Sequence, residues 1–123
     1  MHNKLVIIFS VFLMSCNPDI QYIGYNSIDG IWHKDSIQNF NFELIKTEKN
    51  TYNSFVNLRI NEDYIFNNIF LIITLKDSLN IISTDTLEYK LADKYGEFTG
   101  KKRINIVDNS LLHKENISLD YQK

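Results

Sequence analysis

In three stretches of this chain, apolar and polar residues largely alternate, and that period of two constrains the fold more than any other feature. Residues 38–44 read Gln-Asn-Phe-Asn-Phe-Glu-Leu, and residues 52–60 and 85–91 follow the same rule. Side chains alternate between faces along a strand, whereas a helix repeats every 3.6 residues, so these stretches are extended strands with one face buried. In the second stretch Tyr52, Val56, Leu58 and Ile60 share a face. The polar run at 46–51 then reads as the connection of a hairpin between the first two strands. Residues 68–75 are apolar on both faces, which suits a central strand covered on both sides. Asp93-Lys-Tyr-Gly96 carries turn chemistry, and residues 102–106 and 111–119 read as weaker strands. About seven or eight strands, with turn signals every eight to twelve residues or so, predict an all-β fold. The architecture expected is an antiparallel β-sandwich of jelly-roll or immunoglobulin-like type, with Leu58, Leu71, Ile73 and Leu87 in its core.

The usage of residues supports strands and warns against over-reading the surface. Eighteen isoleucines stand against a single alanine, and β-branched residues fit a half-buried pleated surface. The fifteen asparagines, like the isoleucines and lysines, have AT-rich codons, so their number reports genome composition rather than a binding surface.

The start of the chain has a different character. A short cationic opening containing Lys4 leads into a nine-residue run at 5–13 that is apolar except for Ser10, followed by Met14-Ser15-Cys16. That is the layout of a secretory signal peptide. The apolar run is too short to span a bilayer, which needs about 20 such residues. Leu13-Met14-Ser15-Cys16 resembles the lipobox of bacterial lipoproteins, with Leu at −3, a small residue at −1 and Cys at +1. The resemblance implies that residues 1–15 are removed and that Cys16 becomes the lipid-bearing first residue, carrying diacylglycerol and a palmitate-like acyl chain. The plainer alternative is an ordinary signal peptide with a chance cysteine near its end. Residues 16–21 are then a short tether, and 22–123 a single sandwich domain. Removing fifteen of the 123 residues leaves 108, enough for one domain and too few for two.

Chemistry is sparse in what remains. Cys16 is the sole cysteine, so disulfides play no part. Twelve Lys and Arg against fifteen Asp and Glu, evenly spread, give no reason to expect nucleic acid. His33 and His113 are far apart and lack metal-ligand spacing, so no metal or other cofactor is expected. There is no nucleophile elbow and no Gly-rich phosphate loop. Carboxylate pairs such as Glu62 with Asp63, or Asp85 with Glu88, read as solvated charges at strand ends. An enzyme is not expected. Tyr25, Tyr64 and Tyr95 are candidates for exposed aromatics that bind glycan or protein, and Asn116-Ile-Ser118 is a glycosylation sequon by chance.

The stretch 52–64, Tyr-Asn-Ser-Phe-Val-Asn-Leu-Arg-Ile-Asn-Glu-Asp-Tyr, resembles the core signature of the gliding-motility lipoprotein GldH family of Bacteroidetes. The likeness continues through Asn68-Ile-Phe-Leu-Ile72 and Asp85-Thr-Leu-Glu-Tyr-Lys-Leu-Ala92. It extends to Gly96-Glu-Phe-Thr-Gly100, Leu112-His-Lys-Glu-Asn116, Trp32 and the lipobox, and so covers essentially the whole chain. Ile65 departs from the family's usual proline and Phe98 from its frequent tryptophan.

The resemblance implies a process and a location. The chain is expected to be a non-catalytic component of the gliding and associated secretion machinery, with protein partners there. It is expected to be anchored through Cys16 to an envelope membrane, inner or outer, facing the periplasm. The rival is a small-ligand or glycan-binding lipoprotein, which a concave face of Tyr and Trp would favour. An exposed sheet edge or apolar patch would favour assembly. The polar members of the motif, Asn57, Arg59, Asp63 and Glu88, are the candidate site. Arg59 paired with Asp63 or Glu88 would latch the connection 61–67; the alternative is a recognition patch for a partner. Family members continue past Lys123 through another alternating segment, so a C-terminal strand is expected to be missing. Either stability is lower than in full-length relatives or a partner strand completes the sheet; the plainer alternative is a truncated product without function.

Overall fold

The computed structural model describes residues 19–44 and 51–119. The expected signal segment, Cys16 and the next two residues of the expected tether, the connection at 45–50 and residues 120–123 lie outside these. The chain divides into two compact units, Met1–Lys46 and Thr47–Lys123.

In the first unit, residues 19–44 form no regular strand. The segment returns on itself: Tyr22 stacks on Phe42 with ring centroids 5.0 Å apart. The Asn26 side-chain amide donates to the Asn39 carbonyl at 3.1 Å. At the far end Trp32 Nε1 donates to the Ser36 carbonyl at 2.6 Å, closing a turn. The strand expected at 38–44 is therefore absent, and so is its hairpin with residues 52–60. Alternation reports that a segment is extended with one side preferred, but it does not name a partner.

The second unit is all-β. Its strands are β1 (Thr51–Asn61), β2 (Asn68–Lys76), β3 (Ile81–Lys90), β4 (Lys101–Arg103) and β5 (Ile106–Ser118). They form a three-stranded sheet in the order β1-β5-β4 and a two-stranded sheet of β2 and β3, with every pairing antiparallel. Five strands thus replace the seven or eight expected, among the described residues. The expected strand at 102–106 is split by a two-residue turn, with Ile104 almost fully exposed at its tip. Asp residues make two other turns. Asp77 Oδ1 accepts from the backbone N–H groups of Leu79 and Asn80 between β2 and β3. Asp93 Oδ1 accepts from those of Tyr95 and Glu97, and Gly96 takes the positive φ of 82° that the turn demands.

Alternation aims one face of each sheet inward. Ile60, Leu71, Leu91, Val107 and Leu111 are buried in one cluster drawn from both sheets, so the two layers pack as a sandwich. Leu91 and Val107 are fully buried; burying such a side chain contributes about 1.5–3 kcal/mol. Of the residues expected in the core, Leu71 is buried, whereas Leu58, Ile73 and Leu87 are half-buried. β2 also departs from expectation. It pairs only with β3 among the described strands, and its outward Phe70 and Ile72 are 64% and 74% exposed. Apolar residues on both faces of β2 marked an open surface, not a central strand.

Candidate interaction site

The four candidate polar residues do not meet at one place. Asn57 and Arg59 project from the outward face of β1, opposite Ser110 and Asp108 of β5. Glu88 lies on the outward face of β3, in the other sheet, where it accepts from Asn68 Nδ2 at 2.7 Å. Asp63 sits in the connection after β1, its backbone N–H donating to Asn61 Oδ1 at 3.1 Å.

The carboxylate that the structure sets on Arg59 is Asp108, at 2.6 Å from Nε. Asp108 is held from two sides, because β5 is the middle strand and faces Arg59 on β1 and Lys101 on β4. Arg103 Nε lies 3.0 Å from its second oxygen. The hydrogen bond from Arg59 holds the Asp108 carboxyl below its ordinary value of 3.8, helped by the charges of Arg59, Arg103 and Lys101. The latch expected on the connection 61–67 exists in another form. Tyr64 donates its hydroxyl to the Asn68 carbonyl at 2.7 Å. The Asn67 carbonyl accepts from the N–H groups of Leu91 and Ala92 at 2.7 and 3.1 Å, tying the connection to the end of β3.

A second polar group escaped the sequence reading. His113 is the extra residue of a β-bulge in β5, and its side chain is only 1% exposed. Its Nε2 lies 2.9 Å from Asp85 Oδ2 on β3 and its Nδ1 lies 3.1 Å from Ser54 Oγ on β1. A carboxylate only accepts, so Nε2 donates to Asp85, and the serine hydroxyl is the partner of the other ring nitrogen. This His113 contact holds the Asp85 carboxyl below its ordinary range, with help from the Lys114 charge. Ser, His and Asp together suggest a hydrolytic triad. However, the histidine is enclosed, and none of the three lines either of the two clefts described below. The group is a polar tie between the sheets, reinforced by Tyr89, whose hydroxyl donates to the Leu112 carbonyl at 2.7 Å. No local signal could have found it, since the three residues come from three strands and only the sandwich joins them.

These pairs make acid the weak side of the fold. A carboxyl whose value is depressed in the native state stabilises above its unfolded value, and that stabilisation is lost as pH falls through the native one. Asp85 and Asp108 both belong to this class, so the loss should fall below 3.8, the ordinary value. Asp108→Asn should lower stability at neutral pH and converge with wild type in acid, so that the acid limb of the stability–pH curve is flattened. Urea unfolding by fluorescence at pH steps from about 5 to 2 measures it; an unchanged acid limb would show that Arg59 and Arg103 contribute nothing through Asp108.

Two clefts flank Lys90 at the end of β3. One, of about 540 Å³, lies between Ile65, Phe66, Asn68, Glu88 and Lys94. Ile65 and Phe66, in the connection after β1, are 84% and 60% exposed. The other, of about 390 Å³, lies against β5. Neither cleft is lined by Tyr or Trp.

The family model for the GldH lipoprotein matches residues 21–123. The chain is 34% identical over 116 residues to the gliding motility lipoprotein GldH of Flavobacterium johnsoniae, covering 94% of this chain and 72% of that protein. It is 37% identical over 116 residues to the GldH homolog of Christiangramia forsetii, covering 94% and 70% respectively. No solved structure gives a significant match. The matched residues run through all five strands and the connection after β1, so the likeness is one of the whole fold, and the chain belongs to the GldH lipoprotein family.

Proposed function

We propose that this chain is a lipid-anchored, non-catalytic component of the envelope machinery for gliding motility, held to a membrane through Cys16 and working by protein contacts. The observation that carries this reading is the kinship over 94% of the chain with proteins named for gliding motility, joined to the lipobox at 13–16. Features of the second unit support contacts with proteins rather than with sugars. The outward face of β2 is apolar and exposed, and the clefts offer no Tyr or Trp on which a sugar ring could stack.

Deletion of the gene in its native bacterium should abolish colony spreading, and wild-type protein supplied in trans should restore it. Ser54→Ala, which removes the hydroxyl beside His113, should restore spreading equally well. A deletion strain that spreads normally would refute the gliding role. Ser54→Ala protein that accumulates to wild-type levels yet leaves cells immobile would refute the non-catalytic one.

A further inference from the structure

β5 is thirteen residues long, yet β4 pairs with only three of them, Ile106–Asp108. Beyond Asp108, on the side away from β1, no described strand accompanies β5. The reason lies at Gly100. Running backwards from β4, the chain leaves the flank of β5 there, because the N–H of Thr99 donates to the Leu91 carbonyl at 2.9 Å in the other layer. Gly100 itself approaches β5 so closely that an added Cβ would lie 2.6 Å from the Asp108 carbonyl oxygen and 2.5 Å from Asn109 Oδ1. Where the two segments part, a cleft of about 390 Å³ opens, lined by Thr99, Gly100 and Lys101 on one wall and Asn109–Leu111 on the other, with Lys90 at its rim. One residue past the lining Leu111, the carbonyl of Leu112 is already taken by Tyr89.

An open strand flank is a template for another extended chain, since its N–H and C=O groups point at whatever lies alongside. The charges say what kind of chain. Lys90 and Lys101 line the cleft, and neither has an ion-pair partner among the described residues. Asp108, the acid at the cleft, is already engaged by Arg59 and Arg103. The cleft is therefore cationic, with a short unpaired backbone along one wall. We infer that it receives an extended acidic segment of a partner protein, which continues the line of β4 along β5 and sets its carboxylates against Lys90 and Lys101. The inference rests on the reading that this chain works by protein contacts. It is tested on purified protein, so its outcome is separate from any effect on gliding.

The test uses the full chain in detergent micelles and fluorescein-labelled peptides, with fluorescence anisotropy as the readout. The peptide Glu-Val-Glu-Val-Glu-Val should bind saturably and weaken as salt is raised, because rim charges are screened. Lys-Val-Lys-Val-Lys-Val should bind at least tenfold more weakly. Lys90→Glu with Lys101→Glu should weaken the acidic peptide at least tenfold, and Lys90→Gln with Lys101→Gln by less. Lys94→Glu, on the neighbouring cleft, should leave binding unchanged. Hydrogen exchange should slow at 109–112 when the acidic peptide is bound. No binding at millimolar peptide, equal binding of the two peptides, indifference to both double variants, or protection confined to β2 and β3 would each overturn the inference.

Discussion

Leu91→Ala should lower the stability of the second unit by about 2–5 kcal/mol, the range for truncating a buried leucine where the surroundings cannot collapse. Leu91 is fully buried, and its backbone is held on both sides. Its N–H donates to the Asn67 carbonyl at 2.7 Å, and its own carbonyl accepts from the Thr99 N–H at 2.9 Å and from Thr99 Oγ1 at 3.3 Å. Those bonds fix the Cα, so neighbouring side chains cannot follow the missing methyls inward, and a cavity remains. Each kcal/mol moves the melting temperature of a domain this small by roughly 4–8 °C, so the fall should be on the order of 10–30 °C. Domains hold only about 5–15 kcal/mol in all, and the variant should be scarce in cells. Ile72→Ala is the internal control: a similar truncation at a 74% exposed position should change stability by no more than about 0.5 kcal/mol. Thermal melts of the two variants measure the contrast. Equal melting temperatures would mean that the buried face of the sandwich is not where Leu91 sits.

That contrast also shows what alternation can and cannot report. β1 and β3 were legible because each has one buried face, so their apolar residues mark alternate positions and the inward parity follows. β2 was legible as a strand, but not for its place. Ile69, Leu71 and Ile73 turn toward the core while Phe70 and Ile72 stay exposed, and a sequence shows apolar residues on both faces without showing what covers them. The hairpin expected between 38–44 and 52–60 failed for a related reason. Neighbours in sequence are the default pairing, but β1 pairs instead with β5, whose partner residues lie 45 or more positions away. Turns fared better, because Asp93 and Gly96 act locally and their chemistry can be read without a partner.

The candidate site was legible only as residue types. Arg59 does hold a carboxylate, but its partner Asp108 is 49 residues distant and becomes its neighbour only through the β1–β5 register. Asp63, four residues on, and Glu88 were the choices because both are polar members of the motif that carries the family resemblance. Strand direction sends Glu88 to the outer face of the other sheet, and the turn after Asn61 takes up the Asp63 backbone. His113 was dismissed as isolated from His33, yet its partners are neither histidines nor close in sequence. A β-bulge decides where it points, and bulges leave no dependable mark in composition.

Cys16→Ala should abolish lipid attachment and leave the protein either uncleaved or soluble. The proposed anchor rests on the resemblance of the tetrad at 13–16 to a lipobox, and the sequence offers no other cysteine to take a thioether-linked lipid. Each buried CH₂ contributes about 0.8 kcal/mol, so one chain holds a protein only marginally and two or three hold it more or less permanently. Losing the thiol removes all of them together, since the diacylglycerol goes on first and the later amide-linked chain needs the amine that cleavage frees. The variant should therefore carry no lipid label, keep its signal segment or appear as soluble protein, and fail to restore spreading to a deletion strain. Metabolic labelling with an alkyne fatty acid, followed by detergent phase partitioning and mass measurement of the N-terminus, reads all three states of the molecule. Wild-type protein should enter the detergent phase with label and begin at Cys16. Cys16→Ala protein found labelled in the detergent phase would place the anchor elsewhere in the chain. Unlabelled wild-type protein, cleaved before residue 16 or at another bond, would mean that the leader is an ordinary signal peptide and the cysteine a coincidence.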